Sequence, residues 1–204
     1  MPDPIEHTAL LANVHTHDSI TAKRLFAERW MGSASPLCDR LVAFSAVEGI
    51  LFSASFAVIY WYKDKGLFPG LVSSNEFISR DEALHTDFAV AIHSHLVEQT
   101  KGSKIATIIK EAVDAECMFV KDAIRPAPGL PRAAEWCEYV RMIGDRLMAA
   151  YGVERKYFYG ATLPASMLYM HMIGIDQKTN FFEHRPTQYH KHEPAARFSL
   201  ATEF

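Results

Sequence analysis

The 204-residue sequence is poor in the features that mark several classes of protein. Its three cysteines, Cys38, Cys117 and Cys137, are spaced too widely for a disulfide framework or a zinc knuckle, and this usage is typical of a reducing compartment. The net charge is −3, so no excess of basic residues indicates a nucleic-acid partner. The N-terminal MPDPIEH has neither the basic region nor the apolar region of a signal peptide.

Long hydrophobic runs are also missing. The most apolar stretch, from Glu48 to Tyr62, is followed by KDKG and is shorter than the roughly 20 apolar residues of a membrane helix. Hydrophobic residues nevertheless make up 49% of the chain, which argues against a disordered protein and allows one sizeable core. We therefore expect a cytoplasmic globular protein with no membrane and no nucleic-acid partner.

Helical periodicity dominates the sequence that is present. Apolar residues recur at a spacing near 3.6 and no run alternates at the period of two that marks strands, so we predict an all-α fold. The predicted helices cover residues 5–18, 21–31, 37–64, 73–99, 103–124, 132–151 and 164–174. Ser73 and Glu76 form a capping box that is predicted to open the fourth of these helices. We expect one domain over residues 1–185, followed by a polar, aperiodic and flexible tail over 186–204.

Three ionisable side chains lie within the apolar stripes of two predicted helices. Glu48 lies in the middle of one stripe, and Glu82 and His85, three residues apart, share a face of the next helix. We expect all three to point into the core, where a charge must be paired or bind a metal. Glu-x-x-His on one helix with a Glu on its neighbour is half of a carboxylate-bridged di-iron site. The alternative is an ordinary polar arrangement, with Glu82 paired to Arg80 or a lysine and Glu48 hydrogen-bonded in the core.

Three longer motifs resemble those of one enzyme family. AVEGILFSASFAVIYWYKDKGLFPGLVSSNEFISRDEALHTDFA (Ala46 to Ala89) is similar to the signature region of the class I ribonucleotide reductase small subunit. DQKTNFFEHR (Asp176 to Arg185) resembles a downstream block of that family, and the final FSLATEF resembles its acidic, Phe-terminated tail. The resemblance runs from about Leu25 to Phe204. It implies a ferritin-like di-iron helical bundle with iron as the cofactor.

The resemblance also implies roles for individual residues near the iron. Glu48, Glu82 and His85 match three iron ligands of the family's second half. The family's apolar pocket around the radical site is matched by Phe52, Phe56 and Ile78. Ordinary core packing accounts for these three apolar residues equally well.

Two further residues and the C-terminus match parts of the family that transfer the radical. Asp81 matches the carboxylate that orients a ligand histidine on the radical-transfer route. Tyr189 matches the tail tyrosine that relays the radical. The alternative is that Tyr189 is a solvated aromatic side chain without this role. The tail Phe198–Phe204 resembles the segment that docks on the large subunit. The implied function is a small-subunit component of ribonucleoside-diphosphate reductase, supporting radical-based reduction of ribonucleotides to deoxyribonucleotides.

The first half of the chain departs from the family pattern. The family's first ligand, an aspartate, would lie upstream of Met1. The next ligands of the family form a Glu-x-x-His motif, in which Ala12 replaces the glutamate and His15 matches the histidine. His17 is an alternative ligand, and a further alternative is that both histidines are exposed and bind no metal. Ser19 falls nearest the place of the radical tyrosine. We therefore expect an N-terminally truncated chain with a degenerate first half, and an incomplete bundle whose first helix is missing.

This departure leaves three hypotheses for the function. In the first, the chain is a small-subunit component that forms a homodimer, or a heterodimer with a complete small subunit. In the second, it is a non-catalytic partner that binds the large subunit or a complete small subunit without a di-iron radical site of its own. In the third, it is a fragment with no independent role. In each case uncovered apolar helix faces favour association over a monomer.

Overall fold

The fold is entirely helical throughout the part of the chain that a computed structural model describes, residues 16–124, 128–157 and 163–170. Six α-helices and one short 3-10 helix follow one another in chain order. They are α1 Asp18–Met31, α2 Leu37–Gly49, α3 Ser53–Asp64, α4 Pro69–His95, α5 Gly102–Ala123, α6 Ala133–Ala150 and the 3-10 helix Ala165–Met167. The all-α prediction is therefore confirmed.

A break divides the segment that we predicted as one helix over residues 37–64. The Ile50 and Leu51 amides both donate to the Ala46 carbonyl, at 3.0 and 3.2 Å, so the regular ladder of α2 ends there. α3 restarts at Ser53, whose hydroxyl donates to the Ile50 carbonyl at 2.7 Å. The prediction of a continuous helix is wrong at residues 50–52, where side chains from outside the segment bond to the main chain at Leu51 and Ala54.

α4 begins earlier than the sequence indicated. Its first residue is Pro69, whose fixed φ suits the first turn, and Phe68 before it adopts a left-handed conformation with φ of 50°. Ser73 and Glu76 lie inside α4, so the predicted capping box does not open this helix. The predicted helix over residues 164–174 is described only to residue 170, where a 3-10 turn replaces its start. Most of the predicted helix 5–18 and the whole tail 186–204 lie outside the described residues.

The core forms where α5 and α6 pack on the other helices. α5 contacts α1, α2 and α6, and α2 packs along α4. The fully buried side chains of α5 and α6 include Ile108, Ile109, Val113, Val120, Trp136, Val140 and Met148. Burying this apolar surface is the main driving force for the fold, at about 25 cal/mol per Å². The α2–α4 pair lies at one side of this core, and that pair carries the candidate ligands.

One stretch is long and apolar enough to cross a membrane by length and composition alone. It is Leu37–Asp64, the α2–α3 segment, and half of its apolar window is buried inside the bundle. The expectation that no stretch reaches this length is therefore wrong. Burial against neighbouring helices is typical of the core helix of a soluble protein.

A buried polar cluster ties the start of α2 to the α4–α5 junction. Asp39 accepts a hydrogen bond from the Thr100 hydroxyl at 2.8 Å and forms an ion pair with Lys104. The Thr100 amide donates to Nε2 of His93 at 3.1 Å. Asp39, Thr100 and His93 are all buried, so each finds a partner within the cluster.

The cysteines are all free thiols, and two of them meet between α5 and α6. Cys117 and Cys137 are buried, and each thiol lies 3.7–3.8 Å from the main-chain oxygen of the other residue. Burial raises the pKa of the Cys117 thiol to about 12. Cys38, at the start of α2, is half-buried.

Gly144 is required by the close packing of α6 on α5. A Cβ atom at this position would lie 2.6 Å from Cγ2 of the fully buried Val113. We expect Gly144→Ala to lower the free energy of unfolding by about 1–3 kcal/mol through overpacking, as measured by urea denaturation. Gly70→Ala is the matched control, because a Cβ there meets no atom within 4 Å and alanine favours a helix. Equal stability of the two variants would contradict this account of the α5–α6 contact.

Candidate metal centre

Three candidate ligands converge where α2 ends beside the middle of α4. Glu48 lies one residue before the end of α2, and Glu82 and His85 lie one turn apart on α4. One potential ligand atom from each residue lies within 4.8 Å of the others. Nδ1 of His85 is 3.1 Å from Oε2 of Glu82 and 3.8 Å from Oε2 of Glu48. Within the described residues, no other group of three or more His, Cys, Asp or Glu side chains meets in this way.

A glycine allows the two helices to come this close. Gly49 ends α2, and a Cβ atom there would lie 3.1 Å from Oγ1 and 3.2 Å from Cγ2 of Thr86. The Thr86 hydroxyl donates to the Glu82 carbonyl at 2.9 Å, which fixes the side chain against its own helix. Because Gly49 follows Glu48 and Thr86 follows His85, this contact sets the distance between the ligands on the two helices.

The two carboxyl groups shift each other's pKa in opposite directions. Partial burial and the neighbouring Glu82 raise the pKa of Glu48 to about 7. The hydrogen bond from Glu48 lowers the pKa of Glu82, whereas the hydrogen bond to Glu82 raises the pKa of His85. Two carboxylates this close repel each other when both are charged, so protonation of one relieves the repulsion. A bound metal ion would relieve it in the same way.

The site is more open than the sequence indicated. The side chains of Glu48 and Glu82 are 17% and 23% exposed, and that of His85 is 53% exposed. The expectation that all three point into the core is therefore wrong for His85. An apolar stripe predicts that one face of a helix is covered, but it does not show by what. Among the described residues, no helix covers the outer side of this imidazole.

None of the three residues predicted to form an apolar pocket is buried. Phe52, in the break between α2 and α3, is 46% exposed, and Ile78 on α4 is 47% exposed. Phe56 on α3 is half-buried. Within the described residues, the side chains of Phe52 and Ile78 are therefore open to solvent, which is not expected of an enclosed pocket.

The remaining predicted site residues are placed less completely. Asp81 is exposed on α4, next to Glu82, and its charge contributes to the raised pKa of His85. His15 and Tyr189 lie outside the described residues, as does Ala12. Ser19, which falls nearest the place of the family's radical tyrosine, is buried in α1.

One pair of charged residues next to the site was missed by the sequence analysis. Glu116 on α5 is fully buried, and its Oε2 lies 2.5 Å from Nζ of Lys23 on α1. Glu116 lies within an apolar stripe that includes Ala112, Val113 and Val120. The same kind of pattern identified Glu48, so it could have identified Glu116 as well.

The donor set of the three converging residues fits a transition metal. Two carboxylate oxygens and one imidazole nitrogen are ligands that iron and manganese accept, and three protein ligands leave coordination positions open. Six protein ligands are expected for a carboxylate-bridged pair of ions. The three described donors therefore suffice to hold one ion, and a second ion requires donors from outside the described residues.

Comparison with known proteins gives the same family as the sequence motifs. The family model "Ribonucleotide reductase, small chain" matches residues 1–161. Ribonucleoside-diphosphate reductase small chain 1 of Saccharomyces cerevisiae is 40% identical over 190 residues, which are 93% of this chain and 47% of that protein. The small chain of Schizosaccharomyces pombe is 42% identical over 189 residues, 92% of this chain and 47% of that protein. The chain thus spans about half the length of these relatives.

Solved structures give the same fold. The ribonucleotide reductase Rnr4 homodimer from Saccharomyces cerevisiae matches with a TM-score of 0.70 and 28% identity, over 81% of this chain and 53% of that one. A putative class I ribonucleotide reductase from Bacillus halodurans matches with a TM-score of 0.66 over 84% of this chain and 65% of that one, and at 18% identity it supports the fold alone. The helices described above therefore form a ferritin-like bundle. Motifs, fold and relatives agree, and the chain belongs to the ribonucleotide reductase small-chain family.

Proposed function

We propose that this chain acts as a small-subunit component of a ribonucleoside-diphosphate reductase and supports the radical-based reduction of ribonucleotides to deoxyribonucleotides. The observation that carries the proposal is the convergence of Glu48, Glu82 and His85 from two helices, in a chain about 40% identical to named small chains. These relatives are named as ribonucleoside-diphosphate reductase small chains, which favours this function over the second hypothesis, a non-catalytic partner.

Iron is the proposed cofactor, held by Glu48, Glu82 and His85. Iron bound there would supply the redox chemistry from which the radical of such enzymes is made. The protein's own contribution is to hold the two carboxylates and the imidazole within reach of one ion before it binds. His15 is a further proposed ligand.

Neighbouring residues are proposed to serve the same site. Asp81, next to Glu82 on α4, would orient a ligand histidine and lie on the radical-transfer route, with Tyr189 as the relay in the tail. Phe52, Phe56 and Ile78 would shield the metal side of the bundle from water once a partner covers them.

The proposed partners follow from the family and from the surface. A homodimer, or a heterodimer with a complete small subunit, is supported by the homodimeric structure of the related yeast protein. Large apolar side chains are exposed on the α4 face beside the site, among them Phe77, Leu84 and Phe88. The large subunit is proposed to bind the tail Phe198–Phe204, and the proposed compartment is the cytoplasm.

Metal content tests the central part of this proposal. After anaerobic loading with Fe(II) and removal of unbound metal, we expect about one iron per chain from the three described ligands, measured by elemental analysis. A second iron would indicate further donors such as His15. His85→Ala should lower the iron content severalfold, because it removes one of three ligands.

His95→Ala is the matched control for this measurement. His95 is an exposed histidine at the end of the same helix and lies away from the ligands. It should leave the iron content unchanged. Near-zero iron in the wild-type chain would contradict the proposed cofactor, and equal losses in the two variants would contradict the proposed ligand.

The tail tests the proposed partnership with the large subunit. Deletion of Phe198–Phe204 should abolish binding to the large subunit in a surface-immobilised binding assay, because the aromatic anchors of the docking segment are removed. The same deletion should leave the iron content unaltered, since the described ligands lie on α2 and α4. Unchanged binding by the deleted chain would disprove the docking role.

The carboxyl pair predicts a pH-dependent stability for the metal-free chain. The pKa of Glu48 is raised from 4.5 to about 7, so its stabilising protonated form is fully present below pH 4.5 and is lost as the pH rises through about 7. Glu48→Gln removes this loss and should raise the free energy of unfolding by about 1–2 kcal/mol at pH 8, allowing for solvent screening. The gain should be much smaller at pH 5, as measured by urea denaturation.

Glu98→Gln is the control for this pH dependence, because Glu98 is an exposed glutamate after the end of α4. It should change stability little at either pH. A gain for Glu48→Gln that is the same at pH 5 and pH 8 would contradict the raised pKa of Glu48.

A further inference from the structure

A buried ion pair lies at the break that follows Glu48. Nζ of Lys23 on α1 donates to the Leu51 carbonyl at 2.6 Å and lies 2.5 Å from Oε2 of Glu116 on α5. Oε1 of Glu116 accepts a hydrogen bond from the Ala54 amide at 3.1 Å. The pair therefore contacts the chain within the break, at Leu51, and just after it, at Ala54, once through each of its members.

The charges of the pair match the two helix ends that meet at the break. α2 ends at Gly49, and the carbonyl end of a helix favours a nearby cation, which Lys23 supplies. α3 begins at Ser53, and its first amides lack intrahelical acceptors and favour a nearby anion, which Glu116 supplies. The Glu116 side chain is 0% exposed and that of Lys23 only 17%, so these interactions are poorly screened by water.

The break lies directly beside a candidate metal ligand. Glu48 precedes the last residue of α2, and the Ile50 and Leu51 amides both turn back to the Ala46 carbonyl. The direction in which the Glu48 side chain leaves the helix therefore depends on how the chain is held immediately after it. Nζ of Lys23 also lies 3.7 Å above the centroid of the Phe119 ring, a cation–π contact that further fixes the ammonium group.

We propose that Lys23 and Glu116 are positioning residues for the metal centre: they hold the break between α2 and α3 and thereby keep Glu48 in place against Glu82 and His85. The effect of this pair on metal binding rests on the proposed function, in which Glu48, Glu82 and His85 bind a metal ion. The pair does not itself contact the three ligands, and it acts through the main chain of residues 51–54. Outer residues that orient a ligand typically change metal affinity by 10–100-fold when they are replaced.

The first test needs no metal and uses the full chain. Lys23→Met keeps much of the side-chain volume and removes the donor to Leu51. We expect faster hydrogen exchange at the amides of residues 50–54, together with NMR chemical-shift changes at Glu82 and His85 on α4. Glu116→Gln keeps an acceptor for the Ala54 amide and gives a second variant if Lys23→Met does not fold. Unchanged exchange and unchanged shifts in a folded variant would overturn the proposal.

Asp39→Asn is the matched control, because it breaks another ion pair with a buried carboxylate, at the opposite end of the same helix α2. It should lower the overall stability and leave the exchange of residues 50–54 and the shifts of Glu82 and His85 as in the wild type. If Asp39→Asn produces the same local changes, loss of stability alone explains them and the positioning role is disproved.

The second test uses Co(II), whose visible absorption reports the ligand geometry. Lys23→Met should weaken Co(II) binding roughly 10-fold or more and alter the spectrum of the bound ion, while Asp39→Asn should do neither. Binding by the wild type with no difference in Lys23→Met would overturn the positioning role and leave the proposed function standing. No Co(II) binding by the wild type would count against the proposed function, and the exchange and shift measurements would still decide the role of the ion pair.

Discussion

The contact between Gly49 and Thr86 sets the spacing on which the candidate site depends. A Cβ at residue 49 would meet two Thr86 atoms at 3.1–3.2 Å, so a larger residue there would move α2 away from α4. Glu48 and His85, the residues just before this contact, would then separate. The requirement for a small residue at this crossing links backbone packing directly to the distance between donor atoms.

The fold contains two pairs of neighbouring ionisable groups with opposite effects on stability. Lys23 and Glu116 carry opposite charges, lie deep in the bundle and are matched to the ends of two helices. Glu48 and Glu82 are two adjacent carboxyl groups at a more open position, where partial burial and Glu82 together raise the pKa of Glu48. A buried pair of opposite charges holds a particular geometry, whereas two adjacent carboxylates destabilise the metal-free chain. The second arrangement is expected where a cation is to be bound and costs stability when no cation is present.

Periodicity and motifs predicted much of the fold, including the helical class, the loops after residues 31 and 64 and the helix that carries Glu82 and His85. The convergence of these two residues with Glu48 followed from apolar stripes and from the family resemblance. The break at residues 50–52 did not follow, because it is stabilised by Lys23 and Glu116, which lie 28 and 62 positions away from their main-chain partners. A pattern within a short stretch of sequence cannot predict contacts with residues so far away along the chain. The exposure of His85 escaped prediction for a related reason: a stripe shows that a face is apolar, but it does not show what covers that face.

The arrangement of the thiols has a practical consequence for spectroscopy. Cys117 and Cys137 lie inside the α5–α6 contact, and burial keeps the Cys117 thiol protonated at neutral pH. Alkylating reagents require a thiolate within reach, so Cys38 is the most accessible of the three attachment points in the native state. Cys38 also lies at the far end of the helix that carries Glu48. A nitroxide attached there would place a spin label on the ligand-bearing helix itself. The distance between this label and a paramagnetic metal ion at the other end of α2 could then be measured.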